Sequence, residues 1–302
     1  MRAFLSRQRR RLTWMLRPQR TIDTAAFDID RNRWVAVTDA VPVERDELSV
    51  ATFNIWFSDY HATARYQAIV DLLETYTPDV IALQEVTAAA LDVFLGRPWI
   101  RKNYQSVAAT GRDFGNYGLL ILSRLPVSHA VYTHLPHSVG RGLLRANLTV
   151  NGQELAVCSL HLQSGKNAST IRAHQLDAVF RIAGTTENVV LCGDFNLRDT
   201  ENVDLPADCA DAWATLHPNE EGFTENTSVN LMLYDNKRKH RGVRFDRVLI
   251  TGDQWAPACI DLLGTEPISR ALPRVFPSDH FGLLCRIVHT GGGDGSAVVA
   301  DP

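Results

Sequence analysis

The chain contains no run of about 18 uncharged apolar residues, so nothing in it reads as a membrane span. It also lacks a C-x-x-C pair. Its five cysteines (Cys158, Cys192, Cys209, Cys259 and Cys285) are odd in number and scattered, which argues against a disulfide or zinc framework. Cys158, Cys192 and Cys285 lie inside apolar, strand-like runs and read as small buried hydrophobes in a reducing, intracellular compartment, cytoplasmic or nuclear. No internal repeat and no low-complexity linker interrupts residues 47–289, which favours one domain there. Residues 1–20 have neither Asp nor Glu but hold seven Arg, and their +7 leaves −10 for the rest of a chain of net charge −3. So acidic a body does not fit a general DNA-coating protein; it suits a site that gathers carboxylates around a metal.

What is present is ordinary in bulk: 302 residues, 45% hydrophobic and 22% charged, the proportions of a soluble globular protein. The sequence divides into a basic arm (1–24), an extension (25–46) with one hairpin around Arg31–Arg33, a main domain (47–289) and a Gly-rich, disordered tail (290–302). The arm reads as a nucleic-acid arm, an address, a membrane-surface segment or a solvated, poorly ordered terminus. Apolar spacing predicts helices over 65–76, 88–95 (ended by Gly96 and Pro98) and 168–183. Strand-like runs fall at 48–53, 80–83, 104–108, 117–122, 127–133, 143–150, 155–160, 189–192, 245–250, 259–263 and 282–288. Asn151–Gly152 marks a type I′ hairpin between two of them. This order predicts sheets packed face to face with helices outside, rather than a doubly wound parallel sheet.

Several apolar strands end in polar residues that strand propensity does not explain. The run 48–53 ends at Asn54, 80–83 at Gln84–Glu85, 155–160 at His161 and 189–192 at Gly193–Asp194–Phe195–Asn196. Later the order reverses, with Asp246 before one strand and Ser278–Asp279–His280 before another. Singly, each has a bland reading as a turn former, a helix cap or a satisfied polar residue. Jointly, if the later strands run antiparallel to the earlier ones, all six groups gather at one edge of the sheets.

T-F-N-I-W (52–56), L-Q-E-V (83–86), S-L-H-L-Q-S (159–164), G-D-F-N (193–196), R-F-D-R-V (244–248) and S-D-H-F-G-L (278–283) together resemble the ordered signature of the endonuclease/exonuclease/phosphatase superfamily. Within it, G-D-F-N-L-R-D (193–199), D-L-L-G (261–264) and F-P-S-D-H-F-G-L-L-C (276–285) are similar to the 5′-tyrosyl-DNA phosphodiesterases. The resemblance implies a DNase I-like, four-layer αββα sandwich of two packed mixed β-sheets flanked by helices. It implies a Mg²⁺-dependent phosphodiesterase, with Mn²⁺ able to substitute, acting on nucleic-acid 5′ ends or protein–DNA adducts in DNA repair.

The same resemblance assigns roles. Glu85 would be the direct metal ligand, with Asn54 beside it. Asp194, positioned by Asn196, would orient the attacking water. His280, held by Asp279, would face the phosphoryl oxygens with a raised pKa, and Asp246 would support it. His161 would donate to a non-bridging oxygen. Arg141 and Tyr117 would hold the phosphate, and Ser164 and Lys166 the substrate backbone. Departures are Trp56–Phe57, where the family has an acid and Gly, and Glu225, where it has an aromatic and where an anion would repel phosphate. A phosphatase or lipid-headgroup phosphodiesterase with the same machinery is the competing enzyme reading. A non-catalytic binding protein is the remote one.

Overall fold

The computed structural model describes residues 19–291, except 39, 112, 113 and 139 and the side chains of 199, 203 and 204. Most of the expected arm (1–18) and the tail from 292 onward lie outside the described residues. In chain order the first strands are β1 Gln19–Thr21, β2 Thr24–Asp28, β3 Arg33–Ala36, β4 Glu47–Asn54, β5 Val80–Val86, β6 Gln105–Ala109 and β7 Gly118–Ser123. Next come β8 Val127–His134, β9 Gly142–Val150, β10 Gln153–His161, β11 Asn188–Asp194 and β12 Ala210–Asp211. The last are β13 Glu225–Asn226, β14 Gly242–Val243, β15 Asp246–Thr251, β16 Trp255–Leu263 and β17 Gly282–His289. The helices are α1 Ala62–Tyr76, α2 Ala88–Leu95, α3 Pro98–Asn103, α4 Ser169–Ala183, α5 Ala212–Leu216 and α6 Leu231–Lys237.

The central strands are apolar on both faces, so both faces need cover. One sheet of seven strands runs β1-β8-β9-β10-β11-β15-β12, and the other, of eight, runs β16-β17-β4-β5-β7-β6-β2-β3. Each is mixed, with β10–β11 and β4–β5 parallel. Leu48, Val50, Val80 and Ala82 meet Leu144, Ala146, Val157 and Val190 between the sheets. The opposite faces of β4 and β5, through Ala51, Phe53, Ile81 and Leu83, pack on Tyr66, Ile69, Val70 and Leu73 of α1 and on Ala90 and Phe94 of α2. On the other flank, Ala156, Cys158, Val189 and Leu191 pack on Leu176, Val179 and Ala183 of α4. Burying each large apolar side chain contributes about 1.5–3 kcal/mol, which favours closing both flanks at once. The result is the expected four-layer αββα sandwich. Among the described residues no helix is long and apolar enough to cross a membrane.

Cys158, Cys192 and Cys285 are fully buried in these layers. Asn151 and Gly152 have φ of 54° and 75°, the left-handed pair a type I′ turn demands. The hairpin around Arg31–Arg33 is β2–β3. Residues 19–36 are not peripheral: β1 pairs with β8 at the edge of one sheet, and β2 pairs with β6 near the edge of the other. Gly96 caps α2 as expected, but Pro98 does not merely terminate; it opens α3 from the first helical position, where its missing N–H costs nothing.

Candidate active site

Strand pairing, not proximity in sequence, assembles the site. Parallel β10 and β11 set His161 opposite Asp194, and antiparallel β15 sets Asp246 opposite Asp194 from the other side. On the facing sheet, β4 and β5 align Asn54 with Gln84. Antiparallel β17 begins beside the end of β4, bringing Ser278–His280 to the same edge. Ser278 Oγ fastens them by donating to the Asn54 carbonyl at 2.6 Å. The edge is strained: β5 breaks register between Leu83 and Val86, and Trp56, Glu85 and Asn196 hold φ of 57°, 61° and 52°. A left-handed non-glycine residue costs about 1–2 kcal/mol, so the surrounding bonds must enforce it. Gly193 cannot be replaced cheaply, since at φ 135° a Cβ would lie 2.1 Å from the Leu160 carbonyl oxygen.

Asp194 is the centre. Asn54 Nδ2 donates to its Oδ2 at 3.0 Å, and the Asn196 backbone N–H to its Oδ1 at 2.9 Å. Burial pushes its carboxyl up to about 7, with His280 and Arg141 opposing and Asp246 and Glu85 adding to the rise. The two histidines beside it have opposite states. Arg141 Nη1 lies 2.8 Å from His161 Nδ1 and, having only donors, forces that nitrogen to accept. The proton therefore sits on Nε2, 3.2 Å from Asp194 Oδ2. Burial, then the charges of Arg141 and His280, hold this ring well below its usual pKa, so it is neutral.

For His280, burial alone would lower the pKa, but Asp246, Asp194 and Asp279 outweigh it and leave the ring an imidazolium. Its Nδ1 donates to Asp246 Oδ2 at 2.7 Å. This corrects the expectation that Asp279 holds His280: the carboxylate on that nitrogen arrives across the sheet on β15. Asp279 instead lies 3.5 Å from Ser278 Oγ. Glu225, expected to repel phosphate as a free anion, is buried and neutralised by Arg241 Nε at 2.7 Å, with Oε1 3.6 Å from His280 Nε2.

Arg141 gathers the remaining phosphate candidates. It donates to Tyr117 Oη and to Ser164 Oγ, each at 3.2 Å. Burial raises the Tyr117 pKa, so the ring stays a phenol. Lys166 is exposed on the short turn Lys166–Ala168 beyond β10. Glu85 Oε2 accepts from the Phe57 N–H at 3.0 Å, and its Oε1 stands 4.0 Å from His161 Nε2.

Five buried carboxylates, Glu85, Asp194, Glu225, Asp246 and Asp279, converge here, and Asp246 Oδ1 has no hydrogen-bond partner. Such hard oxygen donors and surplus negative charge fit a divalent cation. Two three-residue groups, Asp194–Asp246–His280 and Glu225–Asp279–His280, bring potential ligand atoms within 4.8 Å of one another. An imidazolium has no lone pair to give, however, so the cation belongs with the carboxylates rather than with His280. Asn54 stands beside this cluster: its amide oxygen accepts one hydrogen bond, from the Trp56 N–H at 3.1 Å, and its nitrogen donates to Asp194.

Three further residues shape the site, and two of them, Arg65 and Thr224, do not stand out in the sequence. Arg65, fully buried, donates to the carbonyls of Ile55, Trp56, Ser58, Tyr60 and Pro277. A charge four residues before Ile69, on the apolar stripe of α1, is the signal that marks it. Thr224 Oγ1 accepts from the N–H groups of Phe245 and Asp246, at 3.0 and 3.1 Å, and so sets the start of β15. Gln84 Nε2 donates to Ser159 Oγ at 3.0 Å, joining the two sheets beneath the site.

Two packed mixed sheets bearing this edge define a class, and residues 51–280 match the Endonuclease/Exonuclease/phosphatase family, to which the chain belongs. Within that class it is similar to tyrosyl-DNA phosphodiesterase 2. The Xenopus laevis protein is 31% identical over 286 residues, 87% of this chain and 74% of that protein. The human protein is 30% identical over 254 residues, 79% of this chain and 67% of that protein. The crystal structure of D. rerio TDP2 complexed with single-strand DNA product aligns with a TM-score of 0.70 at 28% identity, over 80% of this chain and 99% of that one.

Proposed function

We propose that this protein is a Mg²⁺-dependent phosphodiesterase of intracellular DNA repair that cleaves the bond between a DNA 5′-phosphate and a tyrosyl group. The observation that carries the reading is one buried aspartate set among two histidines, one faced by the Arg141 guanidinium at 2.8 Å and the other by the Asp246 carboxylate at 2.7 Å. A water beside Asp194 and Asn196 attacks phosphorus, and Asp194 orients it and takes its proton; a carboxyl raised to about 7 is matched to that task near neutral pH. His161, through its Nε2–H, and Arg141 donate to non-bridging oxygens. His280, kept charged by Asp246, opposes the negative charge that grows in the transition state. When bound at Glu85, Mg²⁺ (or Mn²⁺ in its place) supplies Lewis-acid charge neutralisation. The pairing of Glu225 with Arg241 removes the electrostatic objection to a phosphodiester substrate.

A panel of 5′-phosphotyrosyl DNA, abasic DNA, plain single-stranded DNA, inositol phosphates and sphingomyelin, each with Mg²⁺, tests the reading. The phosphotyrosyl DNA should turn over fastest. Asp194→Ala and Glu85→Ala should each abolish that turnover while leaving circular dichroism and the urea midpoint near wild type. Turnover confined to the inositol phosphates or sphingomyelin, or wild-type rates in either variant, would sink it.

A further inference from the structure

Phe57 is a large apolar side chain left 47% exposed at the rim of the site, beside the half-buried Tyr117. Its ring stacks on Tyr117 with centroids 4.7 Å apart and planes at 25°. Tyr117 in turn lies over His161 at 6.1 Å and 24°. The three rings form one stack that starts beside Asp194 and rises outward past Arg141, and Phe57 is its open end. The segment that carries Phe57 is tied down by hydrogen bonds. The backbone N–H of Phe57 is spent on Glu85, and the Trp56 N–H on Asn54. Arg65 bonds the carbonyls of the residues on either side, Trp56 and Ser58. An apolar ring fixed in water costs free energy unless something covers it in the working state, and a preorganised one binds without an ordering penalty.

We infer that Phe57 is a specificity residue that stacks on a planar ring of the substrate adjoining the scissile phosphate. The inference rests on the phosphodiesterase reading above and names how that site grips its substrate. Aromatic stacking tolerates any base or a phenol, because each offers a π-face. The two sources, the terminal base and the tyrosyl leaving group, are separated by the choice of substrate.

The test uses the full chain with Mg²⁺ and three oligonucleotides. One carries a 5′-phosphotyrosyl group, one has the same adduct on an abasic terminal nucleotide, and one has an alkyl alcohol in place of tyrosine. Phe57→Ala should raise KM for the first about tenfold, the usual size of one lost stack, with kcat little changed. Phe57→Trp should restore KM. The penalty should vanish on the abasic substrate if the base is the stacking partner, and on the alkyl substrate if the phenol is. An equal penalty on all three, or a loss in kcat with KM unchanged, overturns the stacking role and makes Phe57 a support for Tyr117 and Glu85. Failure of the wild-type protein to turn over any of the three overturns the underlying reading instead.

Discussion

His161 and His280 are both buried within reach of Asp194, yet one is neutral and the other charged, because different neighbours meet their ring nitrogens. A guanidinium that can only donate forces His161 to accept; a carboxylate that can only accept holds the proton on His280. The sign of each shift dictates a pH dependence. In the proposed mechanism Asp194 acts as a base once deprotonated, so kcat/KM should rise through the region of its raised pKa, about 7. In the same mechanism His280 acts while protonated, so the rate should fall again only in alkaline solution, where its raised pKa is passed. Asp246 raises both groups. Asp246→Asn should therefore move both limbs of the kcat/KM profile to lower pH and lower its maximum. An unshifted alkaline limb would mean that Asp246 does not hold the proton. Sequence adjacency misled at this scale: Asp279 sits next to His280 in the chain, but the pairing of β15 with β11 delivers Asp246 to the ring, and register is invisible in a linear reading.

At the scale of elements, α1 shows how a single buried charge fixes a loop. Arg65 is 0% exposed, and burial lowers its pKa, with Tyr66, Asp279 and Glu85 opposing the fall. Its guanidinium takes up five carbonyls, four of them from the turn that follows β4 and carries Trp56 and Phe57. Hydrogen bonds to a charged group contribute about 1.5–3 kcal/mol each, and orphaned carbonyls add a desolvation cost. Arg65→Ala should thus lower stability by at least about 3 kcal/mol in urea titrations and slow turnover through the displaced Glu85. A midpoint unchanged from wild type would show the turn to be held by other means. The strands and long helices were legible because their apolar periodicity answers to burial on sheet faces. The stretch 203–244 was not, because its elements are as short as two to seven residues and exist only through partners such as Asp211, which pairs Arg244 and Arg247 at 2.7 and 2.8 Å. The convergence of strand-end polar groups could be read because strands ending in unexplained Asn, Glu, His and Asp imply one shared edge. What each group bonds to there could not.

At the scale of the whole molecule, the charge imbalance acquires a direction. Gln19, the first described residue, pairs with Thr133; one residue on, His134 aligns with Gly142, and Gly142 aligns with His161. The N-terminal segment thus joins the sheet at the edge that carries His161, three strands away, or roughly 14 Å at the usual strand spacing. Residues 1–18 carry six arginines, Arg2, Arg7, Arg9, Arg10, Arg11 and Arg17, attached to an otherwise acidic body. A long polyanion with its scissile end at Arg141 would extend well beyond the site, while a small diester would not. Because β1 and β2 belong to the sheets, the informative truncation removes residues 1–18 and spares Gln19 onward. The truncated protein should keep wild-type kcat/KM on a small nitrophenyl phosphodiester. On long single-stranded substrates its binding should weaken at low salt. The slope of log affinity against log salt should also flatten, by up to about 4–5 if every arginine meets a phosphate. An unchanged slope would assign the segment some task other than binding the strand. Loss of activity on the small diester would instead make residues 1–18 part of the folding unit itself.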